Sequence, residues 1–116
     1  MDNYIKQITD LTGLIKTNPN KSNIFKARGD LYRKIGEYRK AINDYTKYIN
    51  LNIEMGDQDD DGYYQRALCY IDTKEFANAL NDLYETVNLE PLHQKAIEKR
   101  YLRPNLKVIV LLLFKH

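Results

Sequence analysis

Apolar residues recur at helical spacing along most of this chain. Tyr4, Ile8, Leu11 and Ile15 form one stripe, with Leu14 alongside, and predict a helix over residues 2–17. Ile24, Ala27, Arg28, Leu31 and Ile35 form the next, with Phe25 and Tyr32 beside it. That second helix stops at Gly36, since glycine tolerates the left-handed turn after a helix. Tyr38, Ala41, Ile42, Tyr45, Tyr48 and Ile49 start a third stripe. Tyr63, Ala67, Tyr70 and Ile71 make a fourth, and Phe76, Ala79, Leu80, Leu83 and Val87 a fifth. Leu92, Ala96 and Ile97 face inward on a sixth helix, 92–103, which Pro104 ends. The stretch Asn18–Ser22 reads as a turn, with Ser22 placed to cap the following helix.

The pattern repeats. At an offset of 38 residues the identical pairs include Arg28/Arg66, Tyr32/Tyr70, Ala41/Ala79, Asn43/Asn81, Asp44/Asp82, Asn50/Asn88 and Leu51/Leu89. Self-similarity at a period of about 20–50 residues signals a stacked repeat array. Gly29 and Ala67 hold equivalent places in the first helix of each pair, and Ala41 and Ala79 in the second. Small residues there let paired helices approach while Phe, Tyr and Leu fill the neighbouring gaps.

These residues resemble the tetratricopeptide repeat, a helix–turn–helix of about 34 residues with the signature Trp-x2-Leu-Gly-x2-Tyr, Ala-x3-Phe, Pro. The first unit reads Phe25-x2-Arg28-Gly29-x2-Tyr32 and Ala41-x3-Tyr45. The second reads Tyr63-x2-Arg66-Ala67-x2-Tyr70, Ala79-x3-Leu83 and Pro91. Arg stands at the Leu place in both units, and Ile53 at the Pro place of the first. An extra helical turn or a longer loop near Met55–Asp60 absorbs the longer offset. The resemblance implies an all-α fold, a solenoid of antiparallel helix hairpins, with about six helices followed by an apolar C-terminal segment. Its expected organisation is a capping helix at 1–19, repeats at 22–55 and 60–91, a partial repeat at 92–103 and an apolar tail at 104–116. Pro19 lies in the repeat register relative to Ile53, so the first helix is expected to act as the second half of a unit and to cap the array.

Composition adds limits. With 116 residues the chain is expected to be one domain with a modest core. No window reaches the roughly 18–20 apolar residues of a membrane span. The Met1–Tyr4 start has neither a basic region nor an apolar run, so no signal peptide is expected. Cys69 is single, cannot form an internal disulfide, and reads as a small core residue. These features together favour a cytoplasmic protein. Ten tyrosines and no tryptophan suit repeat cores that use Tyr where other members use Trp.

A net charge of +2 gives no general affinity for nucleic acid, but charge is uneven. Lys21 to Lys47 holds eight Lys/Arg against three acids, and Glu54 to Asp61 holds five acids and no base. Lys95 to Lys107 holds five bases against Glu98. Most such charge forms solvated helix faces. RNA binding by a related array is a minor alternative, opposed by the low net charge and by the lack of a one-base-per-repeat code.

The run Asp57-Gln58-Asp59-Asp60-Asp61-Gly62 opens like a calcium loop. Such a loop also needs a bidentate Glu at its twelfth place, and that place here is Leu68. These aspartates are expected instead to cap the next helix. Nothing supports catalysis. The two histidines, His93 and His116, have no partners at ligand spacing, and there is no Gly-rich phosphate loop, CxxC pair or Ser elbow. No enzyme activity, cofactor or metal is therefore expected.

Recognition remains. Arrays of this kind bind partners on a concave side lined by the first helices. The outward residues expected there are Asn23, Lys26, Asp30 and Arg33, then Tyr64, Gln65, Leu68 and Asp72, then Lys95 and Lys99. Some members of the family hold a C-terminal carboxylate in a two-carboxylate clamp. The matching positions are Lys26, Asp30, Gln65, Lys95 and Lys99, and Asp30 departs from the pattern because it repels a carboxylate. The leading expectation is a non-catalytic adaptor or scaffold that holds a peptide segment of a partner protein. The alternative is an assembly protein, self-associating through the truncated third repeat and the Val108–Phe114 run. That run reads as a buried helix, a strand pairing with another chain, or a non-native end.

Overall fold

A computed structural model describes residues 2–89. They form five helices: α1 (Asp2–Thr17), α2 (Ser22–Lys34), α3 (Tyr38–Glu54), α4 (Asp61–Asp72) and α5 (Phe76–Leu89). Among the described residues there is no strand, and no helix is long and apolar enough to cross a membrane. The expected sixth helix at 92–103, the tail at 104–116 with Val108–Phe114, and Lys95 and Lys99 lie outside the described residues. The chain divides into two compact units, Met1–Gln58 and Asp59–His116.

In the first unit α1 packs on α2, and α2 packs on α3. α2 and α3 come close together at Gly29. A Cβ built there would lie 3.0 Å from Tyr45 Cε1 and 3.2 Å from Asp44 Cβ. Ala41 and Tyr45 are fully enclosed, with Ile42, Tyr48, Ile49 and Leu51 also buried on α3. The close approach turns Ser22, Phe25 and Gly29 inward at i, i+3, i+7. Two expectations are corrected by this. Ala27, placed on the apolar stripe by spacing alone, is exposed. Ser22 does not cap α2: Lys21 precedes the helix without a side-chain capping bond, and Ser22 is buried as the first helical residue.

The second unit repeats the hairpin with different volumes. Tyr64, Ala67, Leu68 and Leu83 form its core, with Leu80 and Val87 packed against it and Cys69 fully buried. Where the first unit pairs Gly29 with Tyr45, the second pairs Ala67 with Leu83. A slightly larger residue on one helix faces a smaller one on the other, so the helices pack closely in both. Phe76, expected on the inward stripe, is instead about half exposed at the start of α5.

Both hairpins turn in the same way. Gly36 has φ +80°, with Gly36 N–H donating to Arg33 O and Glu37 N–H to Tyr32 O. In the second unit Lys74 has φ 63°, with Lys74 N–H donating to Ile71 O and Glu75 N–H to Tyr70 O. These are the paired bonds that close a helix through one left-handed residue. Glycine adopts that conformation freely, whereas lysine is strained in it. The longer offset between units is taken up by α3, which runs to Glu54, and by the connection 55–60 that follows.

Candidate binding face

Arginine at the expected leucine place is explained by an ion pair in each unit. Arg28 donates from Nε and Nη2 to the two carboxylate oxygens of Asp44, at 2.8 and 2.7 Å. Arg66 donates in the same way to Asp82, at 2.7 Å for both bonds. The carboxylates are buried, and the two-bond fork suits a guanidinium far better than an ammonium. Each guanidinium also lies against two aromatic rings, Phe25 and Tyr32 for Arg28, Tyr63 and Tyr70 for Arg66. Arg28 reaches a third helix, donating from Nη1 to Thr12 Oγ1 on α1 at 3.1 Å. Hydrogen bonding to Asp44 raises the Arg28 pKa. Burial pulls the Arg66 pKa down, its bonds to Asp82 push it up, and the net direction is upward. Burial pushes the Asp82 carboxyl up against the pull of Arg66. These pairs join the two helices of each hairpin. The sequence carried their signal, since both residues recur at the same offset, but spacing alone did not show that they meet.

With Arg28 committed to the core, the polar stripe of α2 is Asn23, Lys26, Asp30 and Arg33, one face at i, i+3, i+7, i+10. Asn23 is exposed. Lys26 Nζ lies 3.4 Å from Asp30 Oδ2. Asp30 also accepts a hydrogen bond from the hydroxyl of Tyr45, whose ring is buried beneath Gly29. That bond satisfies the one polar atom that a core tyrosine brings with it. In the second unit the equivalents are Leu68 and Leu83, an apolar pair with no hydroxyl to satisfy. Asp30 is therefore a partner of the core as well as a surface charge.

On α4 the expected wall divides. Tyr64, equivalent to Lys26, is 2% exposed and packs in the core with Leu68, so neither points outward as expected. Asp72 is exposed. Gln65 is half-buried and donates from Nε2 to Asp61 Oδ1 at 3.3 Å. In the first unit α2 thus keeps Asn23, Lys26, Asp30 and Arg33 along one stripe, and in the second unit α4 keeps Gln65. Arg33 Nε in the first unit and Gln65 Oε1 in the second are buried and have no hydrogen-bond partner among the described residues. One is a donor and the other an acceptor.

The acidic loop acts as a cap. Asp59 Oδ1 accepts from the backbone N–H groups of Asp61 and Gly62 at 3.1 and 3.4 Å, at the start of α4. Among the described residues no group of three or more His, Cys, Asp or Glu is placed to hold a metal.

No curated protein matches this chain. Residues 27–52, from α2 to near the end of α3, match the family model described as tetratricopeptide repeat. The α2–α3 hairpin is therefore similar to that family in the segment where Gly29, Tyr32, Ala41 and Tyr45 carry the resemblance.

Proposed function

We propose that this chain is a non-catalytic protein–protein interaction module that holds a peptide segment of its partner. The hairpins α2–α3 and α4–α5 serve as repeats 22–55 and 60–91 of a solenoid, with 1–19 as its cap and 92–103 beginning a third repeat. Asn23, Lys26, Asp30 and Arg33 offer a peptide-binding face on the first unit and Gln65 contributes from the second; Lys95 and Lys99 are further residues nominated by the sequence.

One observation carries this reading beyond the family match. Arg33 Nε and Gln65 Oε1, on two of the nominated residues, are a buried donor and a buried acceptor with no partner among the described residues. Leaving such a group unmet costs about 1–3 kcal/mol. A peptide backbone offers a carbonyl for the one and an N–H for the other, so a docked segment can satisfy either group. Asp30 is held by Lys26 and Tyr45 and opposes a carboxylate ligand, which favours hydrogen-bonded peptide capture over a two-carboxylate clamp.

Display selection of random peptides on the full chain, followed by calorimetric titration, tests the proposal. The selected peptides are expected to bind the R33A/Q65A variant at least about tenfold more weakly, which corresponds to about 1.4 kcal/mol. Equal affinity, with an unchanged urea midpoint, would overturn the proposed wall.

A further inference from the structure

The two hairpins provide an internal comparison. Their turns share one backbone arrangement, closed by equivalent hydrogen bonds. Their surfaces differ. Around the first turn, Lys34, Arg39 and Lys40 are exposed, with Glu37 between them. The equivalent residues of the second turn are Asp72, Ala77 and Asn78, with Glu75. Since the same turn forms with either set, the fold does not require the three cations.

The placement of Arg39 and Lys40 also works against the helix they begin. Arg39 and Lys40 lie in the first turn of α3, which contains no acidic residue. That end carries the positive pole of the helix dipole, where cations are disfavoured and anions favoured. Two of the cations are also positioned. Lys34 Nζ lies 5.5 Å from the centre of the Tyr4 ring, and Lys40 Nζ lies 5.6 Å from the centre of the Tyr32 ring. Ammonium groups held over rings lose less freedom when they meet an anion.

From this we infer a second interaction surface at the α2–α3 turn, formed by Lys34, Arg39 and Lys40, which takes an acidic peptide segment rich in Asp and Glu. Single-stranded RNA fits less well. Its bases need open aromatic faces to stack on, and the rings of Tyr4 and Tyr32 have lysines over them. An anionic membrane fits less well too, since no large exposed apolar side chain lies within residues 32–40 to enter the lipid. The surface is separate from the wall proposed above, which uses Arg33 and Gln65.

The probe is a fluorescein-labelled peptide of ten alternating Glu and Asp residues, titrated against the full chain by anisotropy at two salt concentrations. The variant K34D/R39A/K40N copies the second turn and so is expected to fold. It should bind at least about tenfold more weakly and with a flatter salt dependence. The Q65A variant, which removes no charge, should keep its affinity for this probe, which separates this surface from the peptide wall. Equal binding by K34D/R39A/K40N would overturn the inference. So would tighter binding of wild type to an oligouridylate of matched charge or to phosphatidylserine vesicles.

Discussion

Gly29 and Tyr45 give the sharpest test of how these hairpins are built. Adding a methyl at Gly29 puts its carbon 3.0–3.2 Å from Tyr45 and Asp44. Neither neighbour yields easily, because the Tyr45 ring is fully buried and Asp44 is held by two bonds from Arg28. Overpacking of this kind costs about 2 kcal/mol. Alanine recovers about 1 kcal/mol as the better helix former, so G29A should be destabilised by about 1 kcal/mol. Y45L removes a buried ring and leaves space beside Gly29, at about 2 kcal/mol. Additivity would place the double variant near 3 kcal/mol. The second unit shows the alternative, since Ala67 and Leu83 already pack together there. In G29A/Y45L the new methyl occupies room vacated by the ring, and the loss should be only about 1 kcal/mol, a coupling of about 2 kcal/mol. Urea unfolding followed by circular dichroism at constant slope measures all three. Additive losses within about 0.5 kcal/mol, or a G29A protein more stable than wild type, would refute the packing argument.

Two other predictions follow from the repeated features. R66L introduces the leucine of the repeat signature but strands the buried Asp82 carboxylate, so it should cost about 3–5 kcal/mol, while R66L/D82L should recover most of that loss; equal urea midpoints for the single and double variants would sink this. K74G relieves a left-handed lysine at the place where the first unit has Gly36, and should raise stability by about 0.5–1 kcal/mol. A lower midpoint for K74G would show that the lysine is not strained there.

The five described helices and their pairing into hairpins were legible in the order of residues. Apolar side chains at helical spacing must share a face, and Gly36 marks where one face ends. The candidate face was only half legible. Asn23, Lys26, Asp30 and Arg33 follow from spacing on one helix. Tyr64 and Leu68 were expected outward and lie in the core, because an amphipathic helix shows which residues are neighbours but not which side its partner takes.

What the chain determined alone was therefore local. It set the helices, their turns and a repeat at fixed offset, since these depend on side chains within a few residues of one another. Only the tertiary structure decided that Arg28 grips Asp44, that Arg66 grips Asp82, and that Asp30 answers the buried hydroxyl of Tyr45. Those contacts join residues about four helical turns apart along the chain. They exist because close approach at Gly29 and Ala67 brings two helices within hydrogen-bonding reach, and no pattern along one helix records that distance.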